Sequence, residues 1–303
     1  MILVSVLYLI FSLTTFVNSK LLLTNPYPFF IATLRATISG LLLLGYSLLM
    51  KKKSFKNFSL PKQGWIDIII FGSLVHGFVM CCFSYAIQYT DPIKMCFLFA
   101  MTPFITVLLE YALGTDALTF KKLIGLLIGL LGLIPILLDA NPGLYKNIPF
   151  HLELFGIAII FVSTFFFAYG WIVMKRFLAN YPHHPMEIVN GIAMLFGGCF
   201  SFLLFLCLSK ENKFPIMLTT EFPWLMSAFI VSGLVTYMIY PYLLKRYSVT
   251  FIAFAGFLEP VFGLLYGLVF MQHKITLLPC LAIIILCLGL YIFYKEETKT
   301  HNS

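Results

Sequence analysis

Pro103-Phe104-Ile105, running on to Asp116-Ala117-Leu118-Thr119, returns 157 positions later as Pro260-Val261-Phe262 running on to His273-Lys274-Ile275-Thr276, with threonine sixteen positions after proline in both copies. At the same offset Tyr85 falls on Tyr242, Gly132 on Gly289 and Pro28 on Pro185. A register shared by four separate segments marks an internal repeat. Around it the chain divides into ten apolar runs, near 1–19, 28–50, 65–88, 93–113, 120–138, 153–174, 185–208, 224–244, 249–270 and 277–294. Each has about the length, some 20 residues, that a helix needs to cross about 30 Å of hydrocarbon. Five runs per copy is an odd number, so the second copy must enter the bilayer in the opposite sense to the first. The expected fold class is an all-α polytopic membrane protein, with ten transmembrane helices as two inverted five-helix repeats. The first repeat is 1–139, the second 152–294, and 295–303 is a short cytoplasmic tail.

Composition agrees. The chain is 61% hydrophobic and 11% charged, against roughly 45–50% and about 25% in a soluble domain. The longest polar breaks, near 51–64, 139–152 and 209–223, are too short for a folded domain, so function sits inside the helix bundle. The runs are too long for barrel strands and lack period-two alternation. The first has no basic flank and no small-residue cleavage site, and reads as a retained span. The seven cysteines include no CxxC pair and mostly lie within spans, as small hydrophobes. Neither a disulfide nor a metal site is expected. Nor is a cofactor: there is no GxxxxGK[ST] and no soluble segment to hold a nucleotide-binding domain.

The formal charge of +8 does not point to nucleic acid, because the basic residues flank spans and report topology instead. With both termini cytoplasmic, thirteen Lys and Arg fall inside (Lys51, Lys52, Lys53, Lys56, Lys62, Lys121, Lys122, Lys175, Arg176, Lys245, Arg246, Lys295, Lys299) and six outside (Lys20, Lys94, Lys146, Lys210, Lys213, Lys274). Trp65, Trp171 and Trp224 fall near span ends, where aromatic interface anchors belong.

The ends of the two repeats carry the most specific motifs: Tyr85-Ala86-Ile87, Met101-Thr102-Pro103 and Gly114 to Thr119 with Gly125, Gly129 and Gly132, then Leu258-Glu259-Pro260-Val261 with Gly263 and Gly267. On these the chain resembles the drug/metabolite transporter superfamily, specifically its EamA-type carriers, over nearly its whole length. In that family a glutamate usually precedes the Leu-Thr opening the fifth span of each repeat; Asp116 and His273 stand there here. The resemblance implies a secondary transporter of the bacterial inner membrane, working by alternating access around a midplane cavity. Its partners would be a small-molecule substrate and the lipid bilayer. Substrates in the group include amino acids and their derivatives and, in host-dependent bacteria, S-adenosylmethionine exchanged for S-adenosylhomocysteine. Export of amino acids and flipping of a lipid-linked substrate are the alternatives. An enzyme is not expected: His183, His184 and Glu187 come closest to a catalytic constellation and occupy a turn between prolines.

A charge at a span centre costs about 2.5–3.5 kcal/mol on insertion scales, so such residues face the bundle interior or a watery path. Glu259, beside Pro260, is the foremost candidate: a carboxylate for a cation or proton, or a cap on backbone freed by the proline. Glu110 lies in the fourth span, toward the cytoplasmic interface. Arg35, about 10 Å below the outer face, either snorkels or holds a substrate carboxylate. His76 is a proton relay or a packing residue. Tyr85, Tyr237, Tyr240 and Asn190 add polar tips, and Pro103 and Pro260 are expected helix hinges. S-adenosylmethionine suits this set, with its sulfonium for Glu259, its adenine for aromatic rings and its carboxylate for Arg35. The Gly125-xxx-Gly129 and Gly263-xxx-Gly267 pairs read as close helix packing.

Overall fold

The computed structural model describes residues 2–25, 27–49, 58–90, 95, 98–114, 119–139, 148–208, 220–271 and 277–302. Lys51, Lys52, Lys53, Lys56, Asp116, Lys210, Lys213 and His273 lie outside the described residues, which contain helices and turns and no strand. Proline sets most helix starts, because its fixed φ suits the first turn and its missing N–H is not needed there. After α1 (Ile2–Thr24), α2 (Pro28–Leu49) opens on Pro28, α3 (Lys62–Ala86) follows Pro61, and α4 (Thr102–Ala112) has Pro103 as its second residue. Then come α5 (Phe120–Asp139), α6 (Phe150–Asn180) after Pro149, α7 (Met186–Leu208) after Pro185, and α8 (Phe222–Leu244) with Pro223 second. The chain finishes with α9 (Val249–Ala255), α10 (Leu258–Met271) and α11 (Leu277–Asn302). Side chains start two of these: Thr119 Oγ1 accepts from the Lys122 amide at 3.3 Å, and Ser248 Oγ from the Phe251 amide at 3.0 Å. Tyr181 ends α6 with φ −132°, pushed out of helical conformation by Pro182.

Six helices, α1, α2, α3, α6, α7 and α8, are long and apolar enough to cross a membrane. The predicted fourth, fifth, ninth and tenth runs carry α4, α5, α9 with α10, and α11. Three boundaries differ from expectation. α1 runs on to Thr24, and α6 extends over 31 residues, beyond the expected 153–174. α11 stays helical to Asn302 where a tail was expected, its polar end tied to α5 by Lys121 and Glu296 at 3.6 Å.

The helices pack as α2 on α7, α5 on α11, α3 on α7, α2 on α8, α1 on α8 and α10, and α6 on α3 and α4. The α3–α7 contact is close because both backbones are bare. A Cβ on Gly72 would clash with Ala193 O, and one on Gly197 would lie 2.5 Å from His76 Cβ. Within this contact α3 widens into a π-helical stretch, Gly72–Val79, of the kind that often marks functional sites. Gly125 and Gly129 lie against Gly289 of α11. Two expectations about placement fail. Trp65 and Trp224 are 36% and 80% exposed, but Trp171 is wholly buried, because α6 outruns the membrane-length segment and puts Trp171 inside the bundle rather than at its rim. Lys122 is not a free loop charge: in the first turn of α5 it is buried, its ammonium 6.0 Å from the Phe293 ring.

Candidate substrate site

The predicted fourth and ninth runs are both interrupted just before their prolines. In the fourth, Leu98 and Phe99 are helical, Ala100 and Met101 form a turn, and α4 starts at Thr102; in the ninth, Gly256 and Phe257 separate α9 from α10. Offset by the 157-residue repeat, the breaks fall within one residue of each other. The local bonding shows why. The N–H missing at Pro103 would have served Phe99 O, and the Thr102 hydroxyl bonds that oxygen instead. The N–H missing at Pro260 would have served Gly256 O, which accepts the Glu259 amide at 2.9 Å. The two prolines thus sit in the first turns of separate helices, and the carbonyls they deprive of a donor are satisfied locally.

The break puts Glu259 in the first turn of α10, where the helix dipole favours a carboxylate. It is 3% exposed and accepts a hydrogen bond from the Thr15 hydroxyl of α1 at 3.3 Å. Beside it, Tyr8 of α1 donates its hydroxyl hydrogen to Ile252 O of α9. Glu110 does not reach the interface. It is buried in α4 and accepts from the Thr250 hydroxyl at the start of α9, since α9 packs across it.

A third proline organises the opposite wall. Pro241 lies inside α8, so Tyr237 O lacks its usual i+4 donor. Asn190 of α7 supplies one, its Nδ2 donating to Tyr237 O at 2.6 Å. Asn190 is therefore a backbone cap at a proline kink, an arrangement that low-dielectric surroundings require. The kinked turn presents Tyr237 and Tyr240 to Trp171, stacked at 6.0 Å and 15° and at 3.6 Å and 12° between ring centroids and planes. Trp171 Nε1 has no hydrogen-bond partner among the described residues.

Against this aromatic wall lies Arg35 of α2, 5% exposed. Its Nε donates to Phe229 O at 3.3 Å, its Nη1 lies 3.0 Å from Met80 Sδ, and its guanidinium stands over the rings of Phe229 at 4.4 Å and Tyr237 at 5.7 Å. Burial this deep excludes snorkelling. His76, in the π-helical stretch of α3, packs edge-on to Tyr237 with centroids 4.3 Å apart and leaves Nε2 without a partner among the described residues. Tyr85 stands apart from these groups, half-buried at the end of α3, stacked on Phe29 at 5.6 Å and accepting from the Tyr89 hydroxyl at 3.3 Å.

Arg35, His76 and Tyr237 thus share one locus, with Tyr240 linked to it through Trp171, while Glu259 and Glu110 hold two others along α9 and α10. Sequence reading missed Tyr8, Thr15, Trp171 and Asp67. The last is buried in α3, bonded by Arg176 of α6 at 2.5 Å and by Gln63 at 3.0 Å. An acidic residue among isoleucines was its only signal. Tyr8 and Thr15 carry none, since hydroxyls are common on apolar helices.

The sequence signature of the EamA-like transporter family matches residues 1–138 and again 154–295. A S-adenosylmethionine/S-adenosylhomocysteine transporter of Chlamydia muridarum (strain MoPn / Nigg) is 24% identical over 287 residues, 94% of this chain and 89% of that protein. The protein of that name from Chlamydia trachomatis serovar L2 is also 24% identical, over 94% of this chain and 86% of its own length. An uncharacterized transporter of Synechocystis sp. is 23% identical over 301 residues. One solved crystal structure superposes with a TM-score of 0.70 over 96% of this chain and 98% of that one at 17% identity, a likeness of fold.

Proposed function

Because the chain belongs to the EamA-like transporter family and is a multi-span membrane transporter, we propose that it is a secondary carrier of the bacterial inner membrane that exchanges S-adenosylmethionine for S-adenosylhomocysteine by alternating access. Ten spans in two inverted repeats, 1–139 and 152–294, with both termini cytoplasmic, are part of this reading. The double family match supports the duplication. So does the packing: swapping each helix for its mate in the other half turns the α1–α8 contact into α6–α3, α1–α10 into α6–α4, and α3–α7 into α8–α2, while α2–α7 and α5–α11 map onto themselves. All these contacts occur.

The observation that carries the substrate is a coincidence of two kinds. Relatives covering 94% of the chain bear that name, and buried groups of the kinds the molecule would need are present, at separate loci. In this reading Glu259 serves the sulfonium and Arg35 the carboxylate, while the adenine would enter by parting the stacked rings of Trp171, Tyr237 and Tyr240. No step requires a cofactor or covalent chemistry, and the chain is not read as an enzyme.

Expression in a bacterium unable to import S-adenosylmethionine tests the reading. Saturable uptake of the radiolabelled compound is expected, blocked by excess S-adenosylhomocysteine. Glu259→Gln keeps an acceptor for Thr15 but removes the charge, so uptake should fall at least about tenfold, the loss of one charged contact. Absence of uptake above the empty vector, with the protein confirmed in the membrane, would discard this substrate in favour of amino-acid export.

A further inference from the structure

Arg35 borders a cavity between α2, α3, α7 and α8, which it lines with Ser39, His76, Met80, Gly233 and Tyr237 among others. The space left by these side chains holds about one water. The residues with polar groups that line it are buried, Arg35 at 5% and Ser39, His76 and Tyr237 at 2% exposure each. A guanidinium has five N–H donors, and here Nε meets a carbonyl and Nη1 a thioether. Among the described residues no carboxylate lies within ion-pair distance of it; the ring faces of Phe229 and Tyr237 stand against it, and the Tyr237 hydroxyl is a further, neutral hydrogen-bonding neighbour. Among the described residues Ser39 Oγ and His76 Nε2 have no hydrogen-bond partner. The backbone is fitted to the charge as well, since a Cβ at Gly233 would lie 2.6 Å from Arg35 Nη2.

Leaving a cation buried and unpaired is costly, and leaving two neutral polar atoms beside it unbonded adds to that cost. One small anion would satisfy all three. We propose that this cavity is a monoanion site, in which Arg35, Ser39 and His76 receive a carboxylate. One guanidinium balances one negative charge, and no second Lys or Arg among the described residues lines the cavity, so a dianionic phosphate does not fit. The present size matches a single carboxylate oxygen or a halide. The identity of the molecule that brings the carboxylate rests on the transport reading above; the anion site does not. Its occupant is the carboxylate of the transported metabolite, and free chloride is the rival source of the same chemistry.

The test uses the purified full-length chain in detergent, with thermal unfolding followed while acetate is titrated at constant ionic strength against a bulky sulfonate, and chloride titrated in parallel. Saturable stabilisation by acetate is expected. Arg35→Lys should raise the half-saturating concentration by about 10-fold or more and Arg35→Gln should abolish the effect, as for loss of charge-assisted hydrogen bonds. Should Arg35→Gln fail to fold, Ser39→Ala removes one neutral partner and is expected to weaken acetate by about threefold. No saturable response to acetate in the wild type, or a response to chloride alone, overturns the proposal. In cells that take up S-adenosylmethionine, the decarboxylated analogue should compete at least about tenfold less well. If it competes equally, the carboxylate site fails while the transport reading stands. If acetate stabilises through Arg35 but no S-adenosylmethionine enters, the transport reading fails and the anion site stands.

Discussion

Asn190 and Pro241 form a couple in which neither residue is explained alone. A proline inside a buried helix would ordinarily strand the carbonyl four residues back, and Asn190 reaches from α7 to bond Tyr237 O at 2.6 Å. Asn190→Ala should therefore destabilise the protein by about 1–2 kcal/mol, the cost of a buried acceptor left unmade and tempered by what membrane helices show. Pro241→Ala restores an N–H to the turn. In that background the cost of Asn190→Ala should shrink by at least about half, a coupling that thermal melts of the four proteins would read directly. Additive losses would mean that the amide serves something other than the kink. At this scale the sequence was only partly legible. Asn190 was visible as a polar group on an apolar helix, but its role was not, because its partner is a carbonyl 47 residues away whose need arises only once α7 packs on α8. Trp171 misled for a related reason: its place near a predicted span end holds only if the helix stops there, and α6 does not.

At the level of the element, the two broken spans stand out. Breaks at Ala100–Met101 and Gly256–Phe257 were foreshadowed by Pro103, Pro260 and their shared register, since proline's chemistry is local and survives any packing. The π-helical stretch of α3 had no such herald. Nothing between Gly72 and Val79 forbids an ordinary α-helix, and the widening goes with the close approach of Ala193 and Gly197. Nor did the pattern of apolar residues say which face of each helix turns inward, because these helices are apolar all round. The break before α10 lends itself to a test. Pro260→Ala restores the N–H that would serve Gly256 O in a continuous helix, in place of the Glu259 amide it now accepts, and allows α9 and α10 to join. If the break is where the span flexes during transport, maximal uptake should drop several-fold with the half-saturating concentration little changed, as when a conformational step is slowed. Wild-type uptake by a well-folded Pro260→Ala protein would reduce the break to a packing detail.

The whole molecule adds a relation that neither residue nor helix displays. Lys20 at the end of α1 pairs with Glu221 at the start of α8 at 3.5 Å, and Arg176 near the end of α6 pairs with Asp67 near the start of α3 at 2.5 Å. Exchanging the two halves carries α1 onto α6 and α8 onto α3, so each ion pair is the other's mate, with base and acid on corresponding helices. They lie at opposite ends of the bundle. α1 ends at Thr24 and α2 starts at Pro28, and Tyr85 at the end of α3 stacks on Phe29 at the start of α2, so the start of α3 must be at the far end. Their surroundings differ: Lys20 and Glu221 are 61% and 59% exposed, whereas the Asp67 side chain is fully buried. An exposed pair contributes about 0–1 kcal/mol, too little to matter for folding but enough to bias a balanced equilibrium between two conformations. Both pairs are formed here, and between them the Arg35 cavity is closed down to about one water. If the proposed alternating access rocks the halves about these contacts, one pair parts while the other holds. Lys20→Cys with Glu221→Cys, and separately Asp67→Cys with Arg176→Cys, each bridged by a short reducible bifunctional reagent in a background without the native cysteines, should each stop exchange, and reduction should restore it. Cross-linking of one end alone must suffice, because a carrier that cannot open one side can load but not deliver. Full exchange with either bridge intact would mean that the halves do not rock about these contacts, and the symmetry of the two pairs would be a relic of duplication rather than part of the mechanism.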